Sequence, residues 1–122
     1  MYNISMQDNI QIYEEERPWG RFRKFTENTP STVKIITVKP DCKLSLQSHN
    51  KRKEFWRVIE GSGIFEIDNK KYEVKIGDEQ YVPLGVLHRI SAGDNGLSII
   101  EIATGEFDEN DIIRYEDDYG RI

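Results

Sequence analysis

The chain holds only two histidines, and the first stands in "LSLQSHNKRKEFW", Leu44 to Trp56, where strand-like alternation breaks into a basic turn. Side chains along a strand point alternately to its two faces. Gln47 and His49 therefore share a face, Glu54 shares one with Trp56 and Val58, and further along His88 shares one with Ile90. Should these faces all turn toward one interior, two imidazoles, a carboxylate and an amide would converge, and a divalent metal takes donors of those types. A histidine in a strand is also commonly a polar residue satisfied by ordinary hydrogen bonds. Alternation permits both readings.

The elements that must position these residues are short β signals punctuated by turn residues. "TVKIITVKP" is rich in β-branched residues and stops at Pro40; "KLSLQSH" alternates; "EFWRVIEG" ends at Gly61. "GIFEI" turns through Asp68-Asn69-Lys70 into "KYEVKIG", a hairpin. "EQYVPLG", "LHRIS" and "LSIIEIA" supply three more strands, and "IQIYEEE" one near the start, within an N-terminal arm over residues 1–16. Helical periodicity is nearly absent; "DENDIIRY" offers a single turn capped by Asp108. Short strands at regular spacing predict a small β-barrel or sandwich. With no repeat and no low-complexity segment, residues 1–122 read as one domain.

Bulk properties exclude several classes. A chain of 122 residues buries enough surface for a real core, and the single cysteine, Cys42, leaves no intramolecular disulfide to hold it. The N-terminus has no basic and apolar leader, and no apolar run approaches the roughly 20 residues of a membrane span. The expectation is a soluble cytoplasmic protein. A net charge of −5 argues against nucleic acid as a partner. The basic cluster Lys51, Arg52, Lys53 suits a small anion better than a polyanion, or else is a solvated loop.

The spacing of the candidate donors resembles the two-part pattern of cupins, small β-barrels with a metal at the mouth. The first part runs from Asp41 through five residues to Gln47-Ser48-His49, four residues to Glu54 and six to Gly61. The second runs from Gly77 through five residues to Pro83-Leu84-Gly85, two residues to His88 and three to Ala92. Asp41 replaces a glycine of the pattern, Gln47 a histidine and Ala92 an asparagine. Most of the chain, including "ERPWGRF", "YVPLGVLHRI", "EIATGEF" and "NDIIRYEDDYGR", is similar to type II phosphomannose isomerase, a cupin that usually forms the C-terminal part of a bifunctional mannose-1-phosphate guanylyltransferase/mannose-6-phosphate isomerase. Where that family reads Gln-x-His-His-His-Arg-x-Glu-His-Trp, this chain has Asn50, Lys51 and Phe55 in place of three of the histidines.

The resemblance implies an all-β cupin fold, a double-stranded β-helix barrel, with Gln47, His49, Glu54 and His88 as metal ligands. The donor set suits Zn²⁺, with Mn²⁺, Fe²⁺ or Ni²⁺ as alternatives. It implies interconversion of mannose 6-phosphate and fructose 6-phosphate, feeding GDP-mannose and surface-polysaccharide synthesis. Such chemistry needs a base, for which Glu101 and Lys53 are the candidates, and cations for the phosphate, for which Lys51, Arg52, Arg89 and Arg114 are. Arg89 neighbours His88 and should face the other way unless the strand is bulged. Glu101 is unusual between Ile100 and Ile102, and its plainer reading is a strand-end or interface carboxylate. The alternative function is a non-catalytic sugar- or nucleotide-sugar-binding module, favoured by the histidines replaced at Lys51 and Phe55. By analogy a homodimer is expected, with the N-terminal arm as an exchanged strand.

Overall fold

The computed structural model describes residues 12–122. Nine strands are formed among them: β1 (Tyr13–Arg17), β2 (Gly20–Lys24), β3 (Ser31–Val38), β4 (Leu46–Ser48), β5 (Arg52–Ile67), β6 (Lys70–Lys75), β7 (Glu79–Val82), β8 (His88–Gly105) and β9 (Ile113–Glu116). No helix occurs among the described residues. β1 and β2 make a separate antiparallel hairpin. The remaining strands form one sheet in the order β6-β5-β8-β4-β9, with β3 added on β8 and β7 on β5.

The sheet curls because its two longest strands bend. β5 and β8 pair along nearly their full lengths, with register shifts between Val58 and Glu60 and between Gly61 and Gly63. Such irregularities sharpen the local twist and turn a strand around a corner. Gly61 makes the bend possible: it has φ 75°, and a Cβ there would lie 2.1 Å from the Gly96 carbonyl oxygen. The β5–β6 hairpin closes through Asp68 and Asn69, both at positive φ (53° and 64°), as a tight two-residue turn requires.

The barrel interior is filled by Val38, Trp56, Val58, Phe65, Ile67, Val74, Val82, Ile90, Leu97 and Ile99. Alternation explains the selection: Trp56 and Val58 face inward, and Phe55, the neighbour of Trp56, faces outward. Phe55 joins Ile102 in a second cluster on the outer surface, covered by Ile12 and Phe25 beside the N-terminal hairpin. Truncating Phe65, fully buried, would cost about 3–5 kcal/mol.

Two local expectations need correction or qualification. "DENDIIRY" makes a single turn with Asp108 as its cap, though not a helical one: the Asp108 carboxylate accepts the Asn110 amide and the Asp108 carbonyl the Asp111 amide, 2.9 Å in each case. The β-branched pair that follows then leads into β9, which pairs with β4. Of the expected arm, residues 1–11 lie outside the described residues, and Tyr13–Arg17 turns back on Gly20–Lys24.

Candidate metal centre

Three elements deliver the candidate ligands to one end of the barrel. His49 follows β4, Glu54 and Trp56 lie on the inward face of β5, and His88 opens β8, where it stands opposite both Gln47 and Ile67. Gln47, His49, Glu54 and His88 line one pocket of about 210 Å³, together with Lys34, Arg52, Trp56 and Glu101. One ligand atom from each of His49, Glu54 and His88 lies within 4.8 Å of the others. His49 Nε2 is 3.5 Å from Glu54 Oε2, and His88 Nε2 is 3.8 Å from Glu54 Oε1.

The ring orientations are fixed from behind. His49 Nδ1 lies 2.7 Å from the Asp111 carbonyl oxygen and His88 Nδ1 lies 2.9 Å from that of Val86. A carbonyl only accepts, so each Nδ1 carries the proton and each Nε2 presents its lone pair to the pocket. Burial keeps both imidazoles below their ordinary range and therefore neutral, against the raising effect of Glu54. The loops between strands supply the remaining supports. The Gly85 amide donates to the His49 carbonyl at 2.7 Å, from a residue at φ 74°. The Asp111 carboxylate accepts the amides of Asn50 (3.0 Å) and Lys51 (2.8 Å), fixing the turn between β4 and β5.

Glu54 is the electrostatic centre of the group. Trp56 Nε1–H donates to its Oε1 and Arg52 Nε–H to its Oε2, each at 3.1 Å. Burial opposes its charge, but His88, His49 and Arg52 together hold its carboxyl below the ordinary range. Glu101 on β8, opposite Trp56 on β5 and Lys34 on β3, takes the reverse course. Burial, the charge of Glu54 and a hydrogen bond to it push the Glu101 carboxyl up to about 8. The pocket thus holds one ionised and one protonated carboxyl side by side.

The donor set fits a divalent cation. Two Nε2 lone pairs and a carboxylate converge, and the Gln47 amide lines the same pocket. An ion held there would act as a Lewis acid on hydroxyl and carbonyl oxygens. One group in the pocket competes for the same lone pairs: Arg52 Nη2 stands 3.1 Å from His49 Nε2.

The other site candidates are distributed differently. Lys51 is on the surface, paired with Glu106 and Asp108. Lys53 alternates with Arg52 and Glu54 and so faces out from the barrel. Arg89 likewise turns away from the pocket, its Nε donating to the Leu44 carbonyl and its Nη1 to Glu116. Arg114 is in register with Gln47 on β9, and its Nε is buried without a partner. Asn50 is exposed, and Phe55 packs outside the barrel. None of the three positions where histidines are replaced lines the pocket. Lys34, Phe107 and Asp111 escaped sequence reasoning. Phe107 lies between two cations of the site, 4.3 Å from both Lys34 Nζ and the Arg52 guanidinium carbon. Phe107 and Asp111 had one sequence signal, membership of the similar segments "EIATGEF" and "NDIIRYEDDYGR"; Lys34 had none there.

Known proteins share both fold and sequence. The chain is 38% identical over 117 residues to the alginate biosynthesis protein AlgA of Pseudomonas aeruginosa, which covers 94% of this chain and 24% of that protein. It is 36% identical over 111 residues to the mannose-1-phosphate guanylyltransferase ManC of Salmonella typhimurium, covering 89% of this chain and 23% of that one. The chain thus spans about a quarter of the length of these curated relatives. Among solved structures, oxalate decarboxylase from Bacillus subtilis superposes with a TM-score of 0.64 at 26% identity, over 71% of this chain and 24% of that one. The shared architecture is the all-β cupin barrel. No helix among the described residues is long and apolar enough to cross a membrane. Residues 5–117 match the family described as the mannose-6-phosphate isomerase C-terminal region, and the chain belongs to that family.

Proposed function

We propose that this chain is a metal-dependent sugar-phosphate isomerase that interconverts mannose 6-phosphate and fructose 6-phosphate. The observation that carries the reading is the convergence of His49, Glu54 and His88 within 4.8 Å, in a pocket that a second carboxyl, Glu101, also lines. Isomerisation of an aldose to a ketose moves a proton between neighbouring carbons, and a carboxyl with a pKa close to neutrality is suited to take and return it. Glu101 is assigned that transfer; Lys53, facing outward, is not. Gln47, His49, Glu54 and His88 would hold the ion, with Zn²⁺ favoured by two imidazoles and one carboxylate. Arg52, which lines the pocket, is the cation assigned to the phosphate; Arg114, in register with Gln47, does not line it. The names of AlgA and ManC support a place in the supply of mannose phosphates for polysaccharide synthesis.

The alternative, a binding module without catalysis, drew its support from the histidines absent at Lys51 and Phe55. Both positions point away from the pocket, so their replacement leaves the cavity's chemistry untouched. The deciding experiment measures metal content and turnover of mannose 6-phosphate to fructose 6-phosphate, with and without a chelator. Turnover is expected to disappear with chelation and to fall by about 10²–10⁴ in Glu101→Gln. Metal-loaded protein with no turnover of any hexose phosphate would leave the binding module as the function.

A further inference from the structure

The guanidinium of Arg52 engages two of the candidate ligand residues, Glu54 and His49. Its Nε donates to Glu54 Oε2 and its Nη2 to His49 Nε2, both at 3.1 Å. His49 and Glu54 are two of the three residues that converge as candidate ligands. Arg52 is 8% exposed, and its Nη1, also buried, has no partner. A lone pair that accepts a hydrogen bond at 3.1 Å cannot at the same time bind an ion at about 2.0–2.2 Å. A positive group beside the ligands also opposes a second positive charge.

We infer that Arg52 is the resident cation of the metal-free pocket, and that metal binding exchanges with it, releasing its guanidinium to bind an anion. The inference rests on the metal reading above and adds a coupling to it. In the metal-free state Arg52 neutralises the buried Glu54 carboxylate. When the ion takes His49 Nε2 and Glu54 Oε2, the donors that Arg52 held against them are left buried and unpaired, joining Nη1. Unpaired buried donors are costly, and a tetrahedral oxyanion reaching the pocket satisfies several at once. Lys34 lines the same pocket, and it contacts the Phe107 ring from the same distance as Arg52, 4.3 Å. Metal and anion therefore strengthen each other's binding, and linkage makes the effect reciprocal.

Trp56 reports on the exchange, since its Nε1 donates to Glu54 and its ring stacks edge-on against His88 at 5.5 Å. Trp19, the other tryptophan, is 73% exposed, and Trp19→Phe leaves Trp56 as the single tryptophan. Chelator-treated protein on that background is titrated with Co²⁺, reading fluorescence quenching and cobalt absorption, with and without sulfate. Arg52→Gln is expected to bind Co²⁺ about tenfold or more tightly than wild type, and Arg52→Lys to fall between, which carries the test should the glutamine variant not fold. Sulfate, a weak ligand for the metal itself, is expected to tighten Co²⁺ binding several-fold in wild type and not in Arg52→Gln. Equal or weaker Co²⁺ binding by both variants overturns the exchange while leaving the metal site standing. Tighter binding without the sulfate effect overturns the anion half. Absence of Co²⁺ binding in every form overturns the metal reading and the exchange with it.

Discussion

Two carboxyls a hydrogen bond apart, Glu54 and Glu101, hold their protons in opposite ways because their neighbours differ. Glu54 is met by a guanidinium, an indole N–H and two imidazoles; for Glu101, burial and the Glu54 carboxylate outweigh the opposing charges of Lys34 and Arg52. Between its ordinary value of 4.5 and about 8, native Glu101 keeps a proton that the unfolded chain has released. Stability of the metal-free protein should therefore fall as pH rises through that window and level off above it. Glu101→Gln removes this slope, so the variant should gain on wild type from pH 5 to pH 8 in urea midpoints measured with chelator present. The histidines act on the acid side. Both are depressed from 6.5 by burial, so the unfolded chain takes up protons first, and stability falls as pH drops below about 6.5. His88→Gln should flatten that fall in the same measurement.

At the scale of the element, the site depends on loops as much as on strands. The Asp111 carboxylate holds two amides of the β4–β5 turn while its own carbonyl orients His49. Asp111→Ala keeps the carbonyl but frees the turn. It should cost about 1–3 kcal/mol by denaturant unfolding and weaken metal affinity about 10–100-fold, as loss of a support behind a ligand does. Asp111→Asn, retaining one acceptor oxygen, should lie between. This scale also marks where sequence reading succeeds and stops. Alternation paired Gln47 with His49 and Glu54 with Trp56, and it turned Arg89 away from His88, because a period of two is a local property. The same rule assigns Phe55, next to Glu54, to the outer surface, so its replacement of a histidine was never a loss to the cavity. Asp111 was not legible: it acts across more than 60 residues of chain, and no local period records which loop will lie against which turn. Nor did the basic run reveal that Lys51 would pair with acids outside while Arg52 turned in to meet Glu54.

For the whole molecule, charge and apolar surface divide the exterior. On β3, Val33 and Ile35 are 60% and 66% exposed. Among the described residues that strand pairs with β8 alone, leaving an edge with an apolar face, a feature proteins usually cover. A homodimer that covers it is our expectation. Val33→Glu with Ile35→Glu should shift the species seen by light scattering to monomer without altering the barrel's circular dichroism; an unchanged mass would place the interface elsewhere or show that the chain is monomeric. Solubility should improve in the double variant, as removal of an apolar edge predicts.

The Gly61 bend has a kinetic meaning. Along the β5–β8 pair, contacts begin at Ile67 with His88 and end at Arg52 with Gly105, so chain separation grows steadily away from His88 and toward Glu54 and Glu101. Closure entropy rises with separation, and the nearest pairs, next to the Asp68-Asn69 hairpin, should form first. The carboxylate side of the pocket is then assembled last. Variants there, such as Trp56→Phe, should speed unfolding and leave refolding almost unchanged, while Phe65→Leu near the hairpin should slow refolding; stopped-flow chevrons of the two distinguish them. A barrel built in that order acquires its chemistry only once its frame is closed.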